Sequence, residues 1–279
     1  MIPAFYTLLP MKRPRLRFKI AAAVLMACFV AGIASSQRRN RNRDTDTDVD
    51  EPMAELHMAR VIYRTYGGAG SRGFIQPWWA IDYPFAEEHF FDALRRLTNM
   101  SVSDDSVHLE LSDDRIFRFP FLFLQQPGQG NWRPTNDEAE NLREYLLRGG
   151  FMLVDDFHGP YDWQVFQAAI QKVLPDRQII DIPQDDPFMH VFYDLEQGTP
   201  IPGERHLRMS RSGQVVAQME GPSRWRGIYN DDGNLMVAIN FNMDMGDAWE
   251  HADDPYYPNP MTATAYRLGV NYVIYAMTH

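Results

Sequence analysis

The chain has 279 residues, 45% of them hydrophobic and 23% charged, a length and balance that fit one large folded domain or two small ones and exclude a disordered or fibrous protein. Nine of the 27 lysines and arginines precede Asp44, where no acidic residue occurs, so the remainder sets 18 basic against 37 acidic side chains, a formal charge of −19. That field excludes nucleic acid and anionic membrane surfaces as partners of the folded part.

From Met11 the chain reads as a basic run (Lys12, Arg13, Arg15, Arg17, Lys19), then fifteen apolar or small residues from Ile20 to Ala34, then Ser35-Ser36-Gln37. This is the layout of a secretory signal, with small residues at 34 and 36 for cleavage. The arginines at 38, 39, 41 and 43 oppose transfer and support the rival reading of an uncleaved inner-membrane anchor over 20–36. Residues 1–36 are therefore expected to be a signal peptide or N-terminal anchor directing the chain to the periplasm or cell envelope, the membrane being met only through that segment. Residues 37–56 turn from arginine to aspartate with no hydrophobic period and read as a disordered charged tether. Residues 57–279 then form a single domain.

Within that domain, strand-like and helix-like segments alternate. Arg60 to Tyr66 reads as a strand, followed by a Gly-rich turn (Gly67, Gly68, Gly70, Gly73) whose spacing is not that of a dinucleotide loop. Tyr83-Pro84 opens a helix with Glu87 and Glu88 in its first turn and Phe90, Ala93, Leu94 and Leu97 on one face. Val107 to Leu111 and Ile116 to Leu124 read as strands. Thr135 and Glu138 form a capping box for a helix carrying Ala139, Leu142 and Leu146, stopped by Gly149-Gly150. Phe151 to Val154 is a continuous apolar run, as for a strand buried on both faces of a parallel sheet, and it ends in Asp155-Asp156-Phe157-His158-Gly159. Phe166, Ala169, Ile170 and Val173 mark the next helix, and Gln178 to Ile182 the next strand, completing a strand–helix–strand unit. Ile228-Tyr229, an Asn-Asp-Asp-Gly turn and Leu235 to Phe241 read as a hairpin. Met243 to Pro260 reads as one long acidic and aromatic loop, and Asn259-Pro260 caps a closing helix that is apolar nearly all round, within which Asn271 must find hydrogen-bond partners. The fold class is α/β, a mostly parallel sheet with helices on both faces, plus a C-terminal β-hairpin and closing helix.

Two scarce residues narrow the chemistry. Cys28 is the only cysteine and lies in the N-terminal apolar stretch, so the domain has no thiol nucleophile, disulfide or Cys-ligated zinc. Lys172 is the only lysine after Lys19 and sits mid-helix, and no phosphate-binding loop motif or G-x-S-x-G elbow occurs.

The segments Trp79 to Pro84, Leu142 to Leu146 running into Gly149-Gly150-Phe151, Asp155 to Gly159, Asn242 to Glu250 and Arg267 to Tyr272 together resemble the bacterial domain of unknown function 4159 family over essentially 57–279. The resemblance implies a flavodoxin-like sheet similar to class I glutamine amidotransferases. In those enzymes a nucleophilic cysteine sits on the sharp turn after the strand that follows such a Gly-Gly. Here that turn carries Asp155, Asp156, Phe157 and His158, so cysteine chemistry is excluded where the fold would put it. Longer relatives carry a membrane region with a von Willebrand A-like domain and are often encoded near MoxR-type ATPases, which implies such a system as a partner. This chain has only a signal-like segment before the domain.

The candidate ligand-binding residues are Asp155, Asp156 and His158 at the end of the buried strand, where a doubly wound sheet places its ligand. Asp82 after Trp78-Trp79, Trp163 on the following helix, Asp244, Asp247, Trp249 and Glu250 on the long loop, and Asn271 complete the set. Hard oxygen ligands with an imidazole suit a divalent metal, with Asp155, Asp156 and His158 as its first candidates. Each has a plainer reading: loop capping by Asp155, helix capping by Asp82, a solvated acidic loop anchored by Trp249. The remaining histidines, His206 among them, follow no metal spacing. The favoured expectation is an exported, envelope-associated, non-catalytic binding or assembly module that holds a small ligand or an envelope protein. The alternative is a metal-assisted hydrolase in which these carboxylates converge, so that substituting Asp155 or Asp156 relieves repulsion, raises stability and abolishes metal binding.

Overall fold

The computed structural model describes residues 54–65, 67–69, 75–197, 200–211 and 221–279. The signal-like segment, nearly all of the tether and part of the Gly-rich turn lie outside the described residues. Among the described residues no helix is long and apolar enough to cross a membrane.

The main sheet has seven strands. In chain order these are β1 (Met58–Ile62), β4 (Val107–Glu110), β5 (Phe121–Gln125), β6 (Phe151–Phe157), β7 (Ile180–Asp181), β8 (Arg224–Tyr229) and β9 (Leu235–Phe241), while β2 (Gly68–Ala69) and β3 (Gln76–Pro77) form a separate antiparallel pair. Across the sheet the order is β4-β1-β5-β6-β9-β8-β7. The first five run parallel; β8 pairs antiparallel with β9, and β7 pairs antiparallel with β8 at the edge. The chain places β4 on one side of β1 and β5, β6 and β9 on the other, so the strand order reverses at β1, the kind of point where open α/β sheets form a crevice at the carboxyl ends of their strands. β5, β6 and β9 are buried along their whole lengths, as unbroken apolar runs require in strands covered on both faces.

Alternate side chains feed two cores. Met58, Phe121, Phe123, Phe151, Leu153 and Ala238 face one side, where they meet α1 (Phe85–Leu97), α5 (Met245–Glu250) and α6 (Asn259–Thr278). Ala59, Val61, Leu122, Leu124, Met152, Val154, Val237 and Ile239 face the other, against α2 (Asn136–Leu147) and α3 (Gly159–Val173). The remaining helix, α4 (Glu204–Arg211), follows Gly203. The expected capping box is present at the start of α2: the Thr135 hydroxyl accepts from the Glu138 N–H, and Glu138 accepts from the Thr135 N–H.

Several segments differ from the sequence reading. Ile116 to Arg118 belongs to a 3-10 turn (Asp114–Arg118), not to the start of a strand, because Asp113 caps the turn and Pro120 delays pairing until Phe121. The strand expected over 178–182 shrinks to the two residues of β7, which pair antiparallel with β8, so it is an edge and does not extend the parallel series. Met243 to Pro260 is not one long loop. It contains α5, whose six residues carry no hydrophobic period long enough to announce a helix, and whose first N–H groups are satisfied by an aspartate 90 residues away in sequence.

Candidate functional site

The site is built where β5, β6 and β9 end. Along β6 the side chains alternate between the two cores as far as Val154, and then the register with β9 slips before Phe157. Asp156 is the extra residue of this bulge and takes a left-handed conformation, φ 57°. Strict alternation would put Asp155 and Phe157 on the same face, but the bulge sends Phe157 back into the second core and frees both carboxylates to work at the strand end.

The two neighbours are then used differently. One oxygen of Asp155 accepts from the backbone N–H groups of Met245 (2.7 Å) and Gly246 (3.1 Å), and the other from the Asn240 amide (3.1 Å). Asp155 therefore clamps the N-terminus of α5 to the central strand, a favourable place for a carboxylate. Asn240 is fixed in turn by the Tyr272 hydroxyl, which donates to its carbonyl at 2.8 Å. Asp156 points instead into a group of carboxylates and imidazoles. It accepts from the Gln126 amide, lies 3.1 Å from His158 Nε2, and has a ligand oxygen within 4.8 Å of one on Asp244.

Asp82 arrives from the other side. Arg60 on β1 donates to the carbonyls of Trp79 (2.9 Å) and Ile81 (3.0 Å) and to Glu87 (2.6 Å), which pins the segment ahead of Asp82. The Asp82 carboxylate accepts from the Gln125 amide at 2.6 Å and lies against Gly246, where a Cβ would sit 2.2 Å from its oxygen. Asp82 does not cap a helix; the residue at that position of α1 is Pro84. Asp244 caps α5 through the Asp247 N–H at 2.8 Å, and Asp247 accepts from the Glu204 N–H at 2.7 Å.

Among the described residues three sets of ligand atoms converge to within 4.8 Å of one another: Asp156, His158 and Asp244; Asp82, Asp244 and Asp247; and Asp247, Glu250 and His251. Asp244 belongs to the first two sets. The first two are largely buried, and the third is half-exposed on one side of α5. Among the described residues five non-glycine residues have positive φ, and three of them, Asp82, Gln126 and Asp156, belong to this hydrogen-bonded cluster. Backbone held in sparsely populated conformations concentrates where function demands it.

The electrostatics are those of carboxylates with too few counter-charges. Burial, and then neighbouring carboxylates, push Asp82 and Asp244 well above the ordinary range. Burial also raises Asp155, with help from Asp156, and Asp156, with help from Asp247, both to about 7. His158 and His206 are pushed down to about 4, again by burial first, and so are neutral near pH 7. Arg60 lowers both Asp82 and Asp156, but its guanidinium is already committed to Glu87 and two carbonyls.

Other sequence candidates lie elsewhere in the fold. Trp249 is 1% exposed and stacks on Phe90 at 4.1 Å, so it is a core residue and not a ligand contact. Trp163 stacks on Phe157 and lies under Arg226, in the second core. Asn271 accepts from the Tyr193 N–H and donates to the carbonyls of Phe188 and Tyr193, which meets the expectation that it finds partners and makes it a clamp within the α6 side of the fold. Sequence reasoning passed over Gln125, Gln126 and His206. The two glutamines end an apolar strand, a weak signal; His206 stands 48 residues from His158, yet their rings pack at 4.4 Å.

No curated protein matches the chain. Residues 57–277 match the family described as Domain of unknown function (DUF4159), and the chain belongs to that family.

Proposed function

We propose that this is an exported, metal-assisted hydrolase whose divalent cation is held by Asp156, His158 and Asp244 at the carboxyl ends of the central strands. The observation that carries the reading is the convergence of these three side chains from two strand ends around one point. Buried carboxylates at that density are costly unless a proton or a cation compensates them, and Asp156 and Asp244 hold carboxylate oxygens within 4.8 Å of each other. His158 Nδ1 is buried and without a partner, and its imidazole is neutral, the form that ligates metal. A bound cation in such a place supplies Lewis acidity and an activated water near neutral pH. The chain's own residues would orient it: Gln126 steadies Asp156, and Gln125 steadies Asp82 on the opposite wall. Export is supported by the basic and apolar N-terminal pattern.

One observation favours the second reading, a binding module without catalysis. Gln125 Oε1 and Gln126 Oε1 are buried acceptors with no partner, and an organic ligand with N–H or O–H groups would satisfy them. The readings separate by thermal shift on the full chain after chelation, with Mg²⁺, Mn²⁺, Ca²⁺ and Zn²⁺ in turn. The hydrolase reading expects at least one ion to raise the midpoint of the wild type and not that of Asp156→Asn, since a ligand bound only by the folded state must stabilise it. If no ion shifts the wild type, the hydrolase reading is wrong and the module reading takes its place.

A further inference from the structure

Resting on that reading, we infer that the site takes two divalent cations, the second held by Asp82, Asp247 and His206, with Asp244 bridging the pair. The acidic cluster alone would not carry this, because carboxylates gather at many protein surfaces. The independent observation is His206. Its residue is 7% exposed and its Nδ1 is a buried nitrogen with no hydrogen-bond partner. That nitrogen is aimed at the carboxylates. A Cβ on Gly203 would lie 3.0 Å from His206 Nδ1, 2.6 Å from Asp244 Oδ2 and 3.0 Å from Asp247 Oδ2. Three potential ligand atoms of two types thus pack together against Gly203, an approach that a side chain at residue 203 would push apart.

Asp82, Asp244 and Asp247 already place ligand oxygens within 4.8 Å of one another, and Asp244 does the same with Asp156 and His158. Asp244 is the only residue common to both sets, so its two oxygens are the natural bridge. The packing of His158 on His206 sets the two imidazoles side by side, each with its Nδ1 unsatisfied. An imidazole for each cation, one shared carboxylate and separate terminal carboxylates form the donor set of a two-metal centre, in which both the attacking and the leaving group can be stabilised. The centre would be indifferent to the outer set of Asp247, Glu250 and His251, which shares only Asp247 with it.

Mn²⁺ is the probe, titrated into the chelated full chain and followed by electron paramagnetic resonance. The wild type is expected to bind two ions per chain with the spectrum of an exchange-coupled pair. His206→Ala should bind one uncoupled ion, and so should Gly203→Ala, whose methyl group would displace Asp244, Asp247 and His206 from one another without removing a ligand. His251→Ala should leave the coupled pair intact. Melting of each metal-free variant checks that it is folded, and because the two test substitutions perturb different elements, loss of one to misfolding leaves the other to decide. One ion per chain in the wild type, or two ions whose coupling survives both substitutions, overturns the second cation while leaving the proposed function standing. No binding of Mn²⁺ by the wild type overturns the second cation, and the proposed function falls with it only if none of the four ions raises the wild-type midpoint.

Discussion

Asp155 and Asp156 are adjacent, chemically identical and buried, yet they belong to two differently built regions. On the Asp155 side every acceptor oxygen meets donors from Asn240, Met245 and Gly246, and the result is a joint between the central strand and α5. On the Asp156 side the Gln126 amide and His158 Nε2 meet the carboxylate, but the other neighbours are carboxylates, buried imidazole nitrogens without partners and backbone in the left-handed region. The first region spends its charge on holding the fold together. The second holds charge that the fold does not compensate, and this is the pattern expected where stability is given up for binding. The sequence reading treated the two aspartates as one pair, with one predicted response to substitution, whereas the geometry predicts responses of opposite sign.

Asp155→Ala should give the largest effect. It leaves two backbone N–H groups and one amide buried without an acceptor, each costing ~1–3 kcal/mol, partly offset by removal of a buried charge. A net loss of about 3 kcal/mol, roughly a 6–12 °C fall in midpoint for a domain of this size, is expected in thermal denaturation of the metal-free protein. An unchanged midpoint would mean that Asp155 is not a clamp and that the contrast with Asp156 is empty.

Asp156→Asn should move the other way. The group is raised in the folded state, so its ionised form is the destabilising one. The cost is absent below the ordinary carboxylate pKa near 3.8, grows as pH rises, and is complete above about 7. The amide removes that cost, so the metal-free variant should melt above the wild type at pH 8, by about 1–2 kcal/mol, with the difference shrinking towards zero at pH 4. Added cation should reverse the ranking at pH 8, because only the wild type gains from it. Midpoints measured from pH 4 to 8, with and without ion, test all three statements together. His158 runs in the opposite sense: lowered to about 4, it withdraws stability as pH falls below 6.5, which is why the comparison needs the substitution and not the wild-type profile alone.

How much of this was legible beforehand follows from the range over which each signal acts. Thr135 and Glu138 announce a helix start because the capping box closes over three residues, and the run Phe151 to Val154 announces a central strand because burial on both faces leaves no polar position. The placement of Asp155 and Asp156 at a strand end was equally readable. Which of the two would be free was not, because it depends on a bulge set by the register with β9. Helix α5 escaped notice for a related reason: six residues are too few for a hydrophobic period, and the acceptor that stabilises its first turn comes from β6. His206 stood in no motif because its role is defined only by the approach of Gly203, Asp244 and Asp247. Local patterns write elements into a sequence, while sites are written by the contacts between elements.

A smaller effect tests whether the strained backbone belongs to the site or merely to the loops around it. Asn131, φ 56°, also has positive φ, and its backbone N–H bonds to the Gly128 carbonyl, not to the carboxylates. Its side chain makes a bond to the exposed Arg133. Asn131→Gly relieves a left-handed conformation but loosens the unfolded chain by ~0.4–1 kcal/mol, so the net change in stability should stay within about 0.5 kcal/mol and the cation-induced shift should match the wild type. Asp156→Gly relieves a similar conformation and should abolish the shift, since it also removes a carboxylate. If Asn131→Gly weakened cation binding as well, the left-handed residues would be acting together as one strained frame extending beyond the cavity, and the boundary drawn between clamp and cavity at Asp155 and Asp156 would have to be moved outward.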